Sequence, residues 1–112
     1  MIYELSTSSV AVVTGASSGI GRATALALAE RGLRLALLAR SENVLSEVAD
    51  EARRRGASDA CYFICDVRNE AVVDRAVAST LGHFGRIDIL INCAGLSLNG
   101  MVDGYSLEDW RL

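Results

Sequence analysis

The sequence predicts an α/β domain, a parallel sheet with helices on both faces. Three observations carry that expectation. Short apolar runs recur at Val10–Thr14, Arg34–Ala39, 60–65 and 87–92. Segments with helical spacing of apolar residues lie between them. Glycine marks the joins, at Gly15, Gly32, Gly56 and Gly85. Strands alternating with helices mean right-handed crossovers and a parallel sheet, here in the expected order 3-2-1-4. The 112 residues, 51% apolar and 22% charged, suit one globular domain over 1–112.

Strand one is expected over Val10–Thr14. It runs into Thr14-Gly15-Ala16-Ser17-Ser18-Gly19-Ile20-Gly21. A strand, a glycine turn and a helix form the unit in which Rossmann-type folds hold a pyrophosphate. Gly15 allows the sharp exit from the strand, Gly19 a close approach of ligand to backbone, and Gly21 close packing of helix on sheet. The first helical turn offers unpaired N–H groups to an anion. The alternative is a glycine turn that binds nothing. Helix one is expected over 19–31, rich in Ala and ended by Gly32.

Strand two, Arg34–Ala39, is apolar on both faces, as in a buried parallel sheet. Ser41 is expected to cap helix two. There Leu45, Val48, Ala49 and Ala52 make one apolar stripe. Glu42 opens that helix and Arg53, Arg54 and Arg55 close it, in keeping with the helix dipole; the Arg run reads as a solvated helix end. Strand three covers 60–64 or 60–65. Helix three covers 69–83, with a buried face drawn from Val72, Val73, Ala76, Val77, Thr80, Leu81 and Phe84. His83, the single histidine, reads as a surface or capping residue at its end. Strand four covers 87–92. Ser106-Leu107-Glu108-Asp109 has the form of a capping box, so a further helix is expected there.

Charge and composition exclude several classes. The net charge is −3, with eleven Arg and no Lys or Pro, and no basic face suggests nucleic acid. The N-terminus does not read as a signal peptide, and the longest apolar stretch is too short to span a membrane. A soluble, cytoplasmic protein is expected, without membrane partners. The three cysteines, Cys61, Cys65 and Cys93, show neither a disulfide pattern nor metal-ligand spacing, so free thiols and no metal site are expected.

Ligands of open α/β sheets bind at the carboxyl ends of the strands. After strand one comes the glycine turn, after strand two Arg40 and Ser41, after strand three Asp66 and Val67, and after strand four Asn92-Cys93-Ala94-Gly95. Four such elements in register point to a nucleotide. NAD sites commonly carry a carboxylate after the second strand. Arg40 stands there instead, and a guanidinium suits a 2′-phosphate. The cofactor expected is therefore NADP rather than NAD; the alternative for Arg40 is an exposed loop residue. Asp66 would accept from the adenine amino group, or is a turn or capping aspartate. Asn92 would tie strand four to its neighbours, and Ala94 and Gly95 would let the nicotinamide ribose approach; the alternative is an ordinary strand exit.

Together these motifs resemble the short-chain dehydrogenase/reductase family. The cofactor motif is Thr14-Gly15-x-x-x-Gly19-x-Gly21, the adenine motif Asp66-Val67, and Asn92-Cys93-Ala94-Gly95 resembles Asn-Asn-Ala-Gly with Cys in second place. The stretch 106–110 is similar to the start of the family's next helix. The resemblance implies an NAD(P)-dependent alcohol/ketone oxidoreductase, taken as NADP(H)-dependent on the Arg40 reading, with Gly15, Ser17, Ser18, Gly19, Ile20, Gly21, Arg40, Ser41, Asp66, Val67, Asn92, Ala94 and Gly95 lying at the cofactor. It also implies a catalytic Ser and a Tyr-x-x-x-Lys pair. The chain has no Lys, and Tyr105 is followed four residues on by Asp109, so no catalytic residue is assigned within it. The expectation is an N-terminal cofactor-binding half, cut just inside a helix. Its strand four would lie at an open sheet edge and favour self-association. The alternatives are a non-catalytic nucleotide-binding or interaction remnant, and a subunit completed by a separate polypeptide.

Overall fold

The computed structural model describes residues 5–93. Four strands alternate with three helices: β1 (Val10–Thr14), α1 (Gly19–Glu30), β2 (Arg34–Ala39), α2 (Glu42–Arg55), β3 (Asp59–Ile64), α3 (Glu70–Phe84) and β4 (Ile89–Asn92). All pairings are parallel, in the order β3-β2-β1-β4. Val12 lies between Ala36 of β2 and Leu90 of β4, which sets all four carboxyl ends on one side. The expected fold and strand order are both present.

Side chains alternate across a strand, so β1 and β2 feed two cores. Ala11, Val13, Leu35 and Leu37 pack with Ala25 and Ala29 of α1 and Leu45, Val48 and Ala52 of α2. Val10, Val12, Ala36 and Leu38 pack on the opposite face with Ala76 and Phe84 of α3. The Ala-rich stripe of α1 and the spacing of α2 thus act as expected. Buried strands of Val, Leu and Ala, each worth about 1.5–3 kcal/mol for a fully buried Val or Leu, form the centre of the sheet.

Four local expectations are corrected. Ser41 is the N-cap residue of α2, but its side chain accepts no cap hydrogen bond. Asn69 lies outside α3 and caps it, its Oδ1 accepting from the Val72 N–H at 3.2 Å. Val77 and Leu81 are exposed rather than buried, because the face of α3 turned to the sheet runs through Val72, Val73, Ala76, Thr80 and Phe84. Ile87 and Asp88 precede β4 rather than open it, Asp88 being turned to the start of β1. The proposed helix near Ser106 lies outside the described residues.

Loop ends are held by short polar contacts. Gly85 takes the left-handed conformation that stops α3. His83 pairs with Asp59 at 3.0 Å and meets Phe84 edge-on, a structural position at the amino end of β3, opposite the carboxyl ends of the strands. Arg53 and Arg55 bind Asp50, Glu51 and Glu30 in exposed pairs, each worth little singly. The helix end read as solvated is thus solvated and also ion-paired.

Candidate functional site: the carboxyl-end cavity

The carboxyl ends of the strands open onto a cavity of about 600 Å³. Its floor is the turn between β1 and α1. Gly15 and Gly19 both take positive φ, 63° and 56°. A side chain is excluded at Gly21 for another reason. A Cβ there would lie 2.1 Å from the Gly15 carbonyl oxygen and 2.7 Å from its carbon. The first turn of α1 therefore sits directly against the strand exit, as only glycine allows. Ser18, the N-cap residue of α1, is extended and its side chain takes up no helix N–H. The N–H groups of the first turn remain turned toward the cavity without a side-chain cap. Ile20 is 77% exposed, an apolar side chain at the same lip.

Ten of the thirteen residues singled out from the sequence line this cavity. Gly15, Ser17, Ser18, Gly19, Ile20 and Gly21 come from the turn, Arg40 and Ser41 from the end of β2, and Asp66 and Val67 from the end of β3. Residues up to 52 positions apart, Gly15 and Val67, are brought together because parallel strands all end on the same side. Asn92 is not a wall residue. Its Oδ1 accepts from Thr14 Oγ1 at 2.8 Å, and Thr14 Oγ1 accepts in turn from the Cys93 N–H at 3.0 Å. It ties β4 to β1, as expected of it. Ala94 and Gly95 lie outside the described residues.

The electrostatics are concentrated on the β2 and β3 side. Arg40 is exposed and makes no hydrogen bond or ion pair among the described residues. Asp66 is gripped by Arg68, with Nε to Oδ1 at 3.0 Å and Nη2 to Oδ2 at 2.7 Å. The Arg68 N–H adds a third bond to Oδ1, so Asp66 is also the turn residue its position allowed. The Arg68 side chain, with its backbone N–H next, holds the Asp66 carboxyl well below the usual carboxylate range. Burial, then the Asp66 charge, pushes the neighbouring Cys65 thiol up.

Arg68, Cys65 and Cys93 line the cavity without having been singled out as site residues. For Arg68 a signal existed. An Arg two residues after an Asp at a strand end can fold back on that carboxylate within one turn. The cysteines carried none, since nothing in their spacing shows which wall they join. No cluster of metal-ligating side chains occurs among the described residues. No described helix is long and apolar enough to cross a membrane.

Known proteins are similar to this chain in sequence and fold. A 3-oxoacyl-[acyl-carrier-protein] reductase of Synechocystis sp. is 41% identical over 106 residues, 94% of this chain and 42% of that protein. The solved L-sorbose reductase of Gluconobacter frateurii, complexed with NADPH and L-sorbose, superposes with a TM-score of 0.77 at 36% identity, covering 92% of this chain and 39% of that one. An NAD+-bound xylitol dehydrogenase gives a TM-score of 0.76 at 42% identity, over 80% of this chain and 34% of that one. The chain thus spans well under half the length of these relatives. The family description short chain dehydrogenase matches residues 9–112. That match covers most of the chain and agrees with the parallel strand order β3-β2-β1-β4, and the chain belongs to the short-chain dehydrogenase family.

Proposed function

We propose that this chain is the cofactor-binding portion of an NADP(H)-dependent oxidoreductase acting between an alcohol and a ketone. The observation that carries the reading is Arg40, an exposed guanidinium on the cavity that also holds the glycine turn and Asp66. Relatives named as reductases, including one solved with NADPH, support it; the one solved with NAD+ marks the competing cofactor.

The described residues fit a dinucleotide. The turn from Gly15 to Gly21, with uncapped N–H groups at the start of α1, would take the pyrophosphate. Arg40, with Ser41 beside it, would take the 2′-phosphate. Asp66 and Val67 would hold the adenine, while Ala94 and Gly95 would let the nicotinamide ribose approach, Asn92 tying β4 to β1. A bound nicotinamide cofactor supplies the hydride chemistry. This chain's residues bind and orient it, and no proton-transfer residue is assigned among them. A cytoplasmic setting and the absence of nucleic-acid partners belong to the same reading.

A second reading, nucleotide binding without turnover, draws on one observation: the 112 residues contain no Lys, so no Tyr-x-x-x-Lys pair lies within them. A general acid or base of that kind contributes roughly 10²–10⁴-fold. Following NADPH absorbance with a panel of ketones and aldehydes separates the two readings. Gly15→Asp, which places a carboxylate in the phosphate turn, is the control.

The cofactor assignment is tested by titrating NADPH and NADH against the protein and against Arg40→Ala. NADPH is expected to bind more tightly, and the variant to lose about 1–3 kcal/mol for NADPH alone, the scale of a charge-assisted hydrogen bond. Equal affinity for both cofactors in the unmutated protein overturns it.

A further inference from the structure

Asp66 and Arg68 share the cavity wall with Arg40, so this rim carries one carboxylate and two guanidinium groups. The three side-chain and backbone contacts of Arg68 divide unequally between the carboxylate oxygens. Oδ1 accepts twice, from Nε and from the backbone N–H, while Oδ2 accepts once, from Nη2 at 2.7 Å. A carboxylate oxygen has about two acceptor sites. Oδ1 is therefore filled, and Oδ2 keeps one site. The backbone that presents the pair is itself fixed, since the Asn69 N–H donates to the Asp66 carbonyl at 2.9 Å. A planar fork across two residues of a closed turn needs little further ordering.

The charges matter as much as the bonds. Arg40 has no ion-pair partner among the described residues and lines the same cavity as Asp66, whose carboxyl is held low first by Arg68 and to a lesser extent by the Arg40 charge. Without Arg68, the Asp66 carboxylate would face Arg40 alone. It would offset that positive charge and repel a phosphate brought against it. With Arg68 in place the carboxylate is already matched.

We infer that Arg68 is a specificity-determining residue that acts through Asp66. It matches the carboxylate where it stands, which leaves the Arg40 charge for a 2′-phosphate. It also leaves Oδ2 as the carboxylate oxygen with room for an adenine amino group. The inference rests on the Arg40 reading given above and assigns a second residue to the same preference.

Dissociation constants for NADPH and NADH, measured on the full protein at low and moderate salt, test it. Arg68→Gln is expected to weaken NADPH about three- to fivefold, the effect of an exposed charge. NADH should change less than about twofold. Arg68→Lys keeps the charge and should retain most of the preference. The distinguishing variant is Asp66→Asn/Arg68→Gln. Removing the unmatched carboxylate should return the NADPH-to-NADH ratio to that of Asp66→Asn alone, a recovery that a merely structural role for Arg68 would not produce. Equal weakening of both cofactors by Arg68→Gln, or no recovery in the double variant, overturns the inference. The two readings fail differently. No NADPH preference in the unmutated protein removes the Arg40 reading. A preference abolished by Arg40→Ala but untouched by Arg68→Gln removes only this one.

Discussion

The two ends of the sheet are both polar, and they use their polar groups in different ways. At the amino end, most groups satisfy one another, the buried Nε of Arg34 being the exception. Asp88 Oδ2 accepts from the Val10 N–H at 2.7 Å, and Arg86 pairs with Asp88 at 2.6 Å. Ser58 Oγ donates to the Gly32 carbonyl at 2.6 Å, Asp59 pairs with His83, and Arg34 donates to the Ser8 carbonyl while its guanidinium lies 5.4 Å from the Phe84 ring. At the carboxyl end, Ser18 and Ser41 leave their helices without a side-chain cap, Arg40 has no partner among the described residues, and a cavity stands open. Buried or partly buried polar groups are normally paired. The amino end turns its polar groups to the fold; the carboxyl end pairs Asp66 with Arg68 and Asn92 with Thr14, and leaves Arg40 and the first-turn N–H groups of α1 without side-chain partners beside the cavity.

The sharpest way to break this contrast is at Gly21, where the fold and the cavity meet. Gly21→Ala drives a Cβ into the Gly15 backbone at 2.1 Å. It should cost about 3 kcal/mol or more in denaturant unfolding, at the upper end of overpacking. Gly19→Ala, with open space around its Cβ and only a φ of +56° against it, should cost about 1–2 kcal/mol and act mainly on cofactor affinity. Similar stability losses for the two would mean that α1 does not sit against the strand exit as described.

Asp88 tests the amino end by itself. Asp88→Ala strands the Val10 N–H and should cost about 1–3 kcal/mol of stability, with cofactor affinity unchanged. Asp88→Asn keeps an acceptor and should recover most of that loss. A fall in affinity that exceeds the fall in stability would join the two ends functionally.

The smallest expected effect concerns pH at the carboxyl end. The folded-state pKa of Asp66 is depressed by Arg68. The stability it contributes is therefore present above the ordinary carboxylate pKa and is lost only as pH falls through the depressed value. From about pH 8 to pH 5, well above both, the carboxylate stays ionised. The ratio of NADPH affinities of the unmutated protein and Asp66→Asn should stay constant over that window, read by fluorescence titration. A break in the ratio near pH 5 would show that Arg68 does not hold the carboxylate in solution.

The sequence by itself determined the alternation of strands and helices, the parallel order and the position of the glycine turn. These rest on short-range rules: apolar periodicity, glycine at Gly15 and Gly32, acid at Glu42 and base at Arg53 to Arg55 around one helix. Ten strand-end residues were legible too, because a parallel sheet necessarily gathers its carboxyl ends. Tertiary structure decided the rest. Whether Val77 and Leu81 are covered depends on which stripe of α3 meets the sheet, and the apolar pattern was equally consistent with a wider face. Whether Asn92 lines the cavity or bonds Thr14 depends on the register between β1 and β4, which puts those two residues side by side. And whether Arg68 faces solvent or Asp66 depends on the turn after β3. Its geometry brings a long, flexible side chain back onto a carboxylate two residues away. Local pattern sets what an element is; the contacts between elements set which side chains remain free to meet a ligand.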